Sequence, residues 1–146
     1  MNNQRIEQLS LVAPCGMNCG ICKRYLATAR GLASKKGPPR CVGCRPGNKR
    51  CNFIKGSCEL LRKNRIKFCF ECKNFPCEKL ERLNRRYINK YDTSLIDNLL
   101  EIKKVGLDRW LKREEKKWKC PRCGGTISIH DRMCYGCGYR NTNVLA

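Results

Sequence analysis

Cysteine is the residue type in this chain that could do chemistry, and its spacing is that of a metal ligand. The chain has 146 residues and 14 cysteines, most of them in close groups. The groups are Cys15-x3-Cys19-x2-Cys22, Cys41-x2-Cys44, Cys69-x2-Cys72-x4-Cys77, Cys120-x2-Cys123 and Cys134-x2-Cys137, with Cys51 and Cys58 between them. Two cysteines separated by two residues place both thiolates on one side of a tight turn, where both reach a tetrahedral ion at about 2.3 Å. We therefore predict metal binding, with all fourteen cysteines as candidate ligands.

Metal is favoured over disulfides because the chain shows no sign of export. Residues 1–7 have neither the basic stretch nor the apolar stretch of a signal peptide. No apolar run approaches the length of a membrane span. Cytoplasmic thiols stay reduced, and closely spaced pairs of them bind metal more often than they form disulfides. We expect a cytoplasmic zinc protein with about three ions and no contact with a membrane.

The sequence favours a metal at the N-terminal groups, but the cysteine spacing does not by itself decide which metal it is. Thiolates bind iron as well as zinc, and the spacing from Cys15 to Cys22 also occurs where three thiolates hold an iron–sulfur cluster in radical S-adenosylmethionine enzymes. Those enzymes need a large barrel, for which this chain has neither the length nor the alternating strand–helix pattern. Zinc is the first prediction. The alternative is an Fe–S or thiol redox protein that uses the Cys15–Cys77 cluster.

The ten cysteines from residue 15 to residue 77 do not divide by four. Two four-cysteine sites leave two thiols over, and Cys15 and Cys77 are the expected spares because each adjoins a complete pair and follows proline. One pairing places Cys19, Cys22, Cys41 and Cys44 in one site and Cys51, Cys58, Cys69 and Cys72 in the other. An interleaved pairing agrees equally well with the spacing.

Other catalytic groups are sparse. His130 is the only histidine, and we expect it to be exposed on a strand rather than to act as a base or ligand. The chain has no phosphate-binding loop, no His-Glu-x-x-His and no Gly-x-Ser-x-Gly motif. Four-cysteine sites have every position filled, which leaves none for a substrate. A binding protein is therefore expected more than an enzyme.

The segments that carry the cysteines have patterns that predict a small metal-stabilised α+β fold in three parts. Residues 11–91 form an α-rich, irregular cysteine-cluster domain, with helical patterns over Gly20–Ser34, Ser57–Lys67 and Cys77–Tyr91. Leu80, Leu83, Tyr87 and Ile88 form the apolar stripe of the third pattern.

Residues 92–118 predict a helical hairpin, and residues 119–140 predict a zinc-ribbon β-hairpin. In the hairpin, Gly106 is the expected stop and Asp108 the expected cap of the second helix. In the ribbon, two cysteine pairs, each followed by glycine, flank a strand pattern at Thr126–His130.

The chain is strongly basic, with a formal net charge of +20. Residues 1–91 hold 21 Lys and Arg against 5 acidic residues, whereas residues 92–146 hold 11 against 7. The large excess of positive charge in residues 1–91 favours a polyanion, RNA or DNA, as the partner. The predicted phosphate contacts are Lys35, Lys36, Arg40, Arg45, Lys49, Arg50, Arg62, Lys63, Arg65, Arg82, Arg85 and Arg86. The other prediction is a protein partner carried by the ribbon or the hairpin.

Three segments resemble a known family. Ala13-Pro14-Cys15-Gly-Met-Asn-Cys19-Gly-Ile-Cys22, Cys41-Val-Gly-Cys44 and Phe68-Cys69-Phe-Glu-Cys72-Lys-Asn-Phe-Pro-Cys77 are similar to the bacterial and archaeal domain of unknown function 3795. The stretch from Ile102 through Trp110 and Trp118 to Cys123 is similar to the helix-and-ribbon extension of some members. The resemblance covers about residues 11–140 and implies a cysteine-rich, zinc-binding cytosolic protein. It implies no activity.

Overall fold

The computed structural model describes residues 2–31, 41, 43–45 and 58–141 of the chain. These residues form helices joined by short turns. The helices are α1 (Asn3–Ser10), α2 (Lys23–Ala29), α3 (Glu59–Arg62), α4 (Glu78–Tyr91), α5 (Leu95–Val105) and α6 (Leu107–Lys117). Two 3-10 turns cover Cys19–Ile21 and Cys69–Glu71. The small, helix-rich fold with a cysteine cluster agrees with the prediction.

The first cysteine group lies on a tight loop. Val12 and Asn18 form an antiparallel bridge, and the Asn18 side chain accepts a 2.9 Å hydrogen bond from the N–H of Gly20. This local bond starts a 3-10 turn, after which α2 begins at Lys23 and ends at Ala29. The helix predicted from Gly20 therefore begins three residues later, because asparagine offers the backbone a turn in place of helix.

The other two helical patterns of the N-terminal half differ in outcome. Within Ser57–Lys67, of which Ser57 lies outside the described residues, the helix is the single turn α3. The third pattern is present as α4, with Leu80 and Leu83 buried. Ile88 is 43% exposed, so the predicted apolar stripe does not extend to it.

Helices α5 and α6 occupy the segment where a helical hairpin is predicted, and they pack on each other. The hydroxyl of Ser94 accepts a 3.1 Å hydrogen bond from the N–H of Asp97, which caps α5. Gly106, at φ +91°, ends α5 and also stands directly before α6. Asp108 is therefore not the cap that was expected. Its carboxylate lies in the first turn of α6 and pairs with Arg5 of α1 at 2.7 Å.

The C-terminal segment differs from the expected β-hairpin. The described residues show isolated antiparallel bridges there, Lys119 to Thr126, Ile127 to Cys134 and Met133 to Arg140, and no continuous strand. The cysteine pairs explain this, because each turns the chain back within a few residues. The N–H of Cys120, for example, donates a 2.7 Å bond to the carbonyl of Gly125. The α+β prediction is therefore correct for its helices, while a ribbon β-hairpin is not seen.

One hydrophobic cluster joins the N-terminal half to the C-terminal cysteine segment. It includes Met17, Ile21, Leu80, Trp118 and Ile129, each less than a tenth exposed. Such burial supplies roughly 1.5–3 kcal/mol for each large apolar side chain. A second cluster contains Ile102 of α5 and Trp110 of α6. No described helix is both long and apolar enough to cross a lipid bilayer.

Candidate metal centre

The four C-terminal cysteines meet at one point. The Sγ atoms of Cys120, Cys123, Cys134 and Cys137 all lie within 4.8 Å of one another. Cys120 and Cys137 are 3.6 Å apart, and Cys123 and Cys134 are 3.5 Å apart. A tetrahedral ion with bonds of about 2.3 Å separates its sulfur ligands by roughly 3.8 Å. The four sulfurs therefore have the separation that one ion needs. Within the described residues, no other such group satisfies the 4.8 Å limit.

Two turns of the same kind carry these four ligands. Gly124 and Gly138 directly follow the second cysteine of each pair and have φ of +79° and +80°, the conformation that glycine adopts without steric cost. The N–H of Gly125 donates a 3.3 Å hydrogen bond to the sulfur of Cys123. Cys120 and Cys134 are buried, and Cys123 is exposed. One side of the site thus faces solvent and the other faces the core.

The four thiols of this group cannot all ionise at such short distances unless a cation binds among them. Desolvation opposes ionisation of Cys120, but hydrogen bonds from the backbone N–H groups of Cys123 and Arg122 lower its pKa to about 7. The N–H of Gly125 favours the Cys123 thiolate, yet the neighbouring sulfurs of Cys134 and Cys137 raise the pKa of Cys123 to about 11. Four thiolates at these distances repel one another. A divalent cation removes that repulsion and allows all four to ionise.

An arginine from the N-terminal half lies against this group, and the sequence pattern gave no signal for it. A Cβ built on Gly136 would be 2.8 Å from Nη2 of Arg30, and one built on Gly125 would be 3.8 Å from the same atom. The Gly125 position is also 3.2 Å from the sulfurs of Cys123 and Cys134. The guanidinium is therefore placed to offset the negative charge of a four-thiolate site.

The first N-terminal group, Cys19, Cys22, Cys41 and Cys44, is one of the predicted pairings, but no three of its sulfurs lie within 4.8 Å of one another. The N–H of Cys44 donates a 3.4 Å hydrogen bond to the sulfur of Cys19. A separate hydrogen bond with the side chain of Cys44, together with burial, raises the pKa of the Cys19 thiol well above its ordinary range, and the N–H of Cys44 opposes this shift. Burial raises the pKa of Cys22 to about 11, with a further contribution from the charges of Cys19 and Cys41.

The second N-terminal group differs in one member from the predicted pairing. Cys77, an expected spare, lines the same small cavity as Cys58, Cys69 and Cys72. Cys51, which the prediction placed with these three, lies outside the described residues. Cys15 is buried and interacts electrostatically with Cys19 of the first group and with Cys69 of the second. None of the thirteen described cysteines forms a disulfide.

His130 is not the exposed strand residue that was expected. Its Nδ1 accepts a 3.3 Å hydrogen bond from the N–H of Lys23 at the start of α2. Its ring packs edge-on against Tyr91, with centroids 4.8 Å apart, and lies near Tyr87. Burial, and then the positive charge of Lys23, lower the pKa of His130 to about 4. The imidazole is thus a neutral packing group that joins the C-terminal segment to α2 and α4.

The predicted phosphate contacts fall into three sets. Arg62, Lys63, Arg65, Arg82, Arg85 and Arg86 are exposed, although Lys63 pairs with Glu59 and Arg82 with Glu78. Arg45 is half-buried and donates to the carbonyls of Val12 and Lys67 at 2.6 and 2.9 Å, so its guanidinium serves the fold. The rest, Lys35, Lys36, Arg40, Lys49 and Arg50, lie outside the described residues.

Comparison with known proteins agrees with the resemblance of the N-terminal half. No curated protein and no solved structure matches the chain. Residues 11–82 match the model of a family described as Protein of unknown function (DUF3795). That segment contains the loop from Cys15 to Cys22, both N-terminal cysteine groups and the start of α4. Residues 11–82 of this cysteine-rich chain are therefore similar to the DUF3795 family.

Proposed function

We propose that this is a zinc protein in which Cys120, Cys123, Cys134 and Cys137 hold a structural zinc ion. The observation that carries the proposal is the mutual approach of the four sulfurs within 4.8 Å. Zinc suits the group because it accepts four thiolates in tetrahedral geometry without a redox change. All four positions are filled by protein, so the ion organises the segment and has no open position for a substrate.

The ion would hold the C-terminal segment against the core. Cys120 and Cys134 are buried in the same cluster as Trp118, Ile127 and Ile129, and turns and isolated bridges hold the backbone of the described segment in place of continuous strands. Binding free energy is then folding free energy. With the two N-terminal groups also occupied, the chain would carry about three ions.

Substitution at Cys123 tests this proposal with little disturbance of packing, because Cys123 is exposed. We expect Cys123→Ser to lose one zinc per chain, measured by elemental analysis of protein purified without oxygen. Cys123→His is the matched control, since imidazole also binds zinc, and it should keep the ion. A Cys123→Ser variant with its full zinc content would contradict the proposal, as would iron with sulfide in the wild type.

We propose nucleic-acid binding as the activity this zinc-stabilised fold serves. Its support is the exposure of Arg62, Arg65 and Arg85 on the N-terminal half, where the positive charge is concentrated. Phosphate neutralisation by exposed cations releases counterions, so affinity falls steeply with salt. We expect fluorescently labelled single-stranded RNA to bind with such a slope.

A charge-matched pair of variants decides between a specific basic surface and general attraction. Replacing Arg62, Arg65 and Arg85 together by Gln should reduce the salt slope by roughly 2, at about 0.7 for each phosphate contact on a single strand. Replacing the exposed Lys103, Lys104 and Arg109 by Gln removes the same charge and should leave the slope nearly unchanged. Equal slopes in the two variants would contradict the proposal. A complex retained at high salt would favour the protein-partner alternative.

A further inference from the structure

A second group of four cysteines surrounds a cavity in the N-terminal half. The cavity has a volume of about 30 Å³. Its lining residues are Cys58, Ile66, Cys69, Cys72, Phe75, Cys77, Lys79 and Leu80. Apart from the cysteines, apolar side chains dominate this wall. Four sulfurs around an apolar space form a ligand set for a thiophilic cation, because carboxylates and imidazoles are absent from the lining.

Local structure presents these cysteines much as it does at the C-terminal site. Cys69 and Cys72 bracket the second 3-10 turn, and the N–H of Cys72 donates to the carbonyl of Cys69 at 3.1 Å. The N–H of Asn74 donates a 3.4 Å bond to the sulfur of Cys72. Gly125 makes the same bond to Cys123 at 3.3 Å, again from two residues beyond the second cysteine of a pair. The two turns therefore stabilise a thiolate in the same way.

The other two cysteines come from the starts of helices. Cys77 is the N-cap residue of α4 and Cys58 that of α3, and neither side chain caps its helix by a hydrogen bond. Their sulfurs are thus not used by the helix ends.

The glutamate inside the 3-10 turn holds this loop in place. The carboxylate of Glu71 accepts hydrogen bonds from the N–H groups of Lys67 and Phe68 at 2.9 and 2.7 Å. The N–H of Cys69 donates to the carbonyl of Pro14 at 3.0 Å. Two of the four ligands are therefore carried on a loop that is fixed independently of any ion.

Two cationic residues lie close to these four thiols. Lys79 lines the cavity, and Arg45 interacts electrostatically with Cys69. Cys15 interacts with this group but does not line the cavity. The four sulfurs lie farther apart than those of the C-terminal site, so an ion would draw them inward and close the space that they line.

We propose that Cys58, Cys69, Cys72 and Cys77 form a second metal centre that binds one zinc ion, and that Cys15 is not among its ligands. The centre shares no ligand with the C-terminal site, so either can be present without the other. This assignment gives Cys77 a role that its position after a complete cysteine pair does not suggest.

Zinc content of the full-length chain tests the assignment. We expect Cys77→Ser to carry one zinc fewer than the wild type and Cys15→Ser to carry the same number. A Cys77→Ser variant with unchanged zinc, or a Cys15→Ser variant that loses an ion, would overturn the proposal. Cys123→Ser reports on the C-terminal site alone, so failure of that site is recognised separately.

A second variant covers the case in which Cys77→Ser loses every ion because it does not fold. Cys77→His supplies another zinc ligand at the same position, and we expect it to keep the wild-type zinc content. Loss of an ion from Cys77→His would overturn the proposal in that case. Titration with Co²⁺ adds a direct reading, since thiolate-to-cobalt absorption should fall by about one third in Cys77→Ser if three four-cysteine sites are filled. Iron with acid-labile sulfide that disappears in Cys77→Ser would overturn the single-ion assignment.

Discussion

The N–H of Ile129 donates a 3.0 Å hydrogen bond to the carbonyl of Ile21. Both side chains are at most 5% exposed and lie in one hydrophobic cluster. Ile21 belongs to the first cysteine loop, and Ile129 lies between the two C-terminal cysteine pairs. The two metal-binding regions therefore share a core, and the stability of one depends on the packing of the other.

Truncation of Ile129 should destabilise the whole protein. We expect Ile129→Ala to lower the free energy of unfolding by about 2–5 kcal/mol, the usual range for a buried isoleucine, in denaturant unfolding of the zinc-loaded chain. Ile88→Ala is the control, because Ile88 is 43% exposed, and its effect should stay near 0.5 kcal/mol. Similar losses from the two variants would show that the shared core contributes little.

Protonation of His130 should weaken the fold as the pH falls. Its pKa is about 4 in the folded chain against an ordinary value of 6.5, so the unfolded chain binds more protons between these values. The stabilisation is complete above about pH 6.5 and is lost as the pH falls toward 4. At most it is on the order of 3 kcal/mol, from 1.36 kcal/mol per pKa unit.

A comparison with His130→Asn isolates this effect from acid release of zinc, because Asn keeps an acceptor for the N–H of Lys23 but does not titrate. We expect unfolding free energy to rise more steeply with pH in the wild type than in the variant from pH 5 to 7. Parallel pH profiles would mean that His130 does not contribute.

Gly16 should not tolerate a side chain. A Cβ built there would lie 2.7 Å from the backbone oxygen of Leu95, and its φ is +89°. We expect Gly16→Ala to cost at least about 3 kcal/mol of unfolding free energy. Gly31 also has positive φ, but its Cβ would meet nothing within 4 Å, so Gly31→Ala should cost only the backbone strain of about 1–2 kcal/mol. Thermal unfolding of both variants measures the difference, and equal costs would exclude the close contact with Leu95.

Arg30 should strengthen metal binding at the C-terminal site. Four thiolates and one Zn²⁺ carry a net negative charge, and the guanidinium lies against the turns that hold them. We expect Arg30→Ala to weaken that site about tenfold, in the range of outer-shell substitutions. Zinc affinity is measured by competition with a chromophoric chelator. The relevant ion is the one that is missing from Cys123→Ser. Arg85→Ala on α4 removes the same charge elsewhere and should have no effect. An unchanged affinity in Arg30→Ala would contradict this role.

The sequence by itself determined the C-terminal ligand set, because Cys120, Cys123, Cys134 and Cys137 lie within one short segment whose glycine turns leave few arrangements. It also determined α4, α5 and α6 from their apolar periodicity and stops. Local pattern could not decide the N-terminal grouping, since ligands from Cys15 to Cys77 are far apart in sequence and several pairings have the same spacing. Tertiary packing decided that Cys77 lines the cavity with Cys58, that Arg45 and His130 serve the core, and that Arg30 lies against the glycines of the C-terminal turns. These relationships depend on contacts between distant segments, which no local periodicity records.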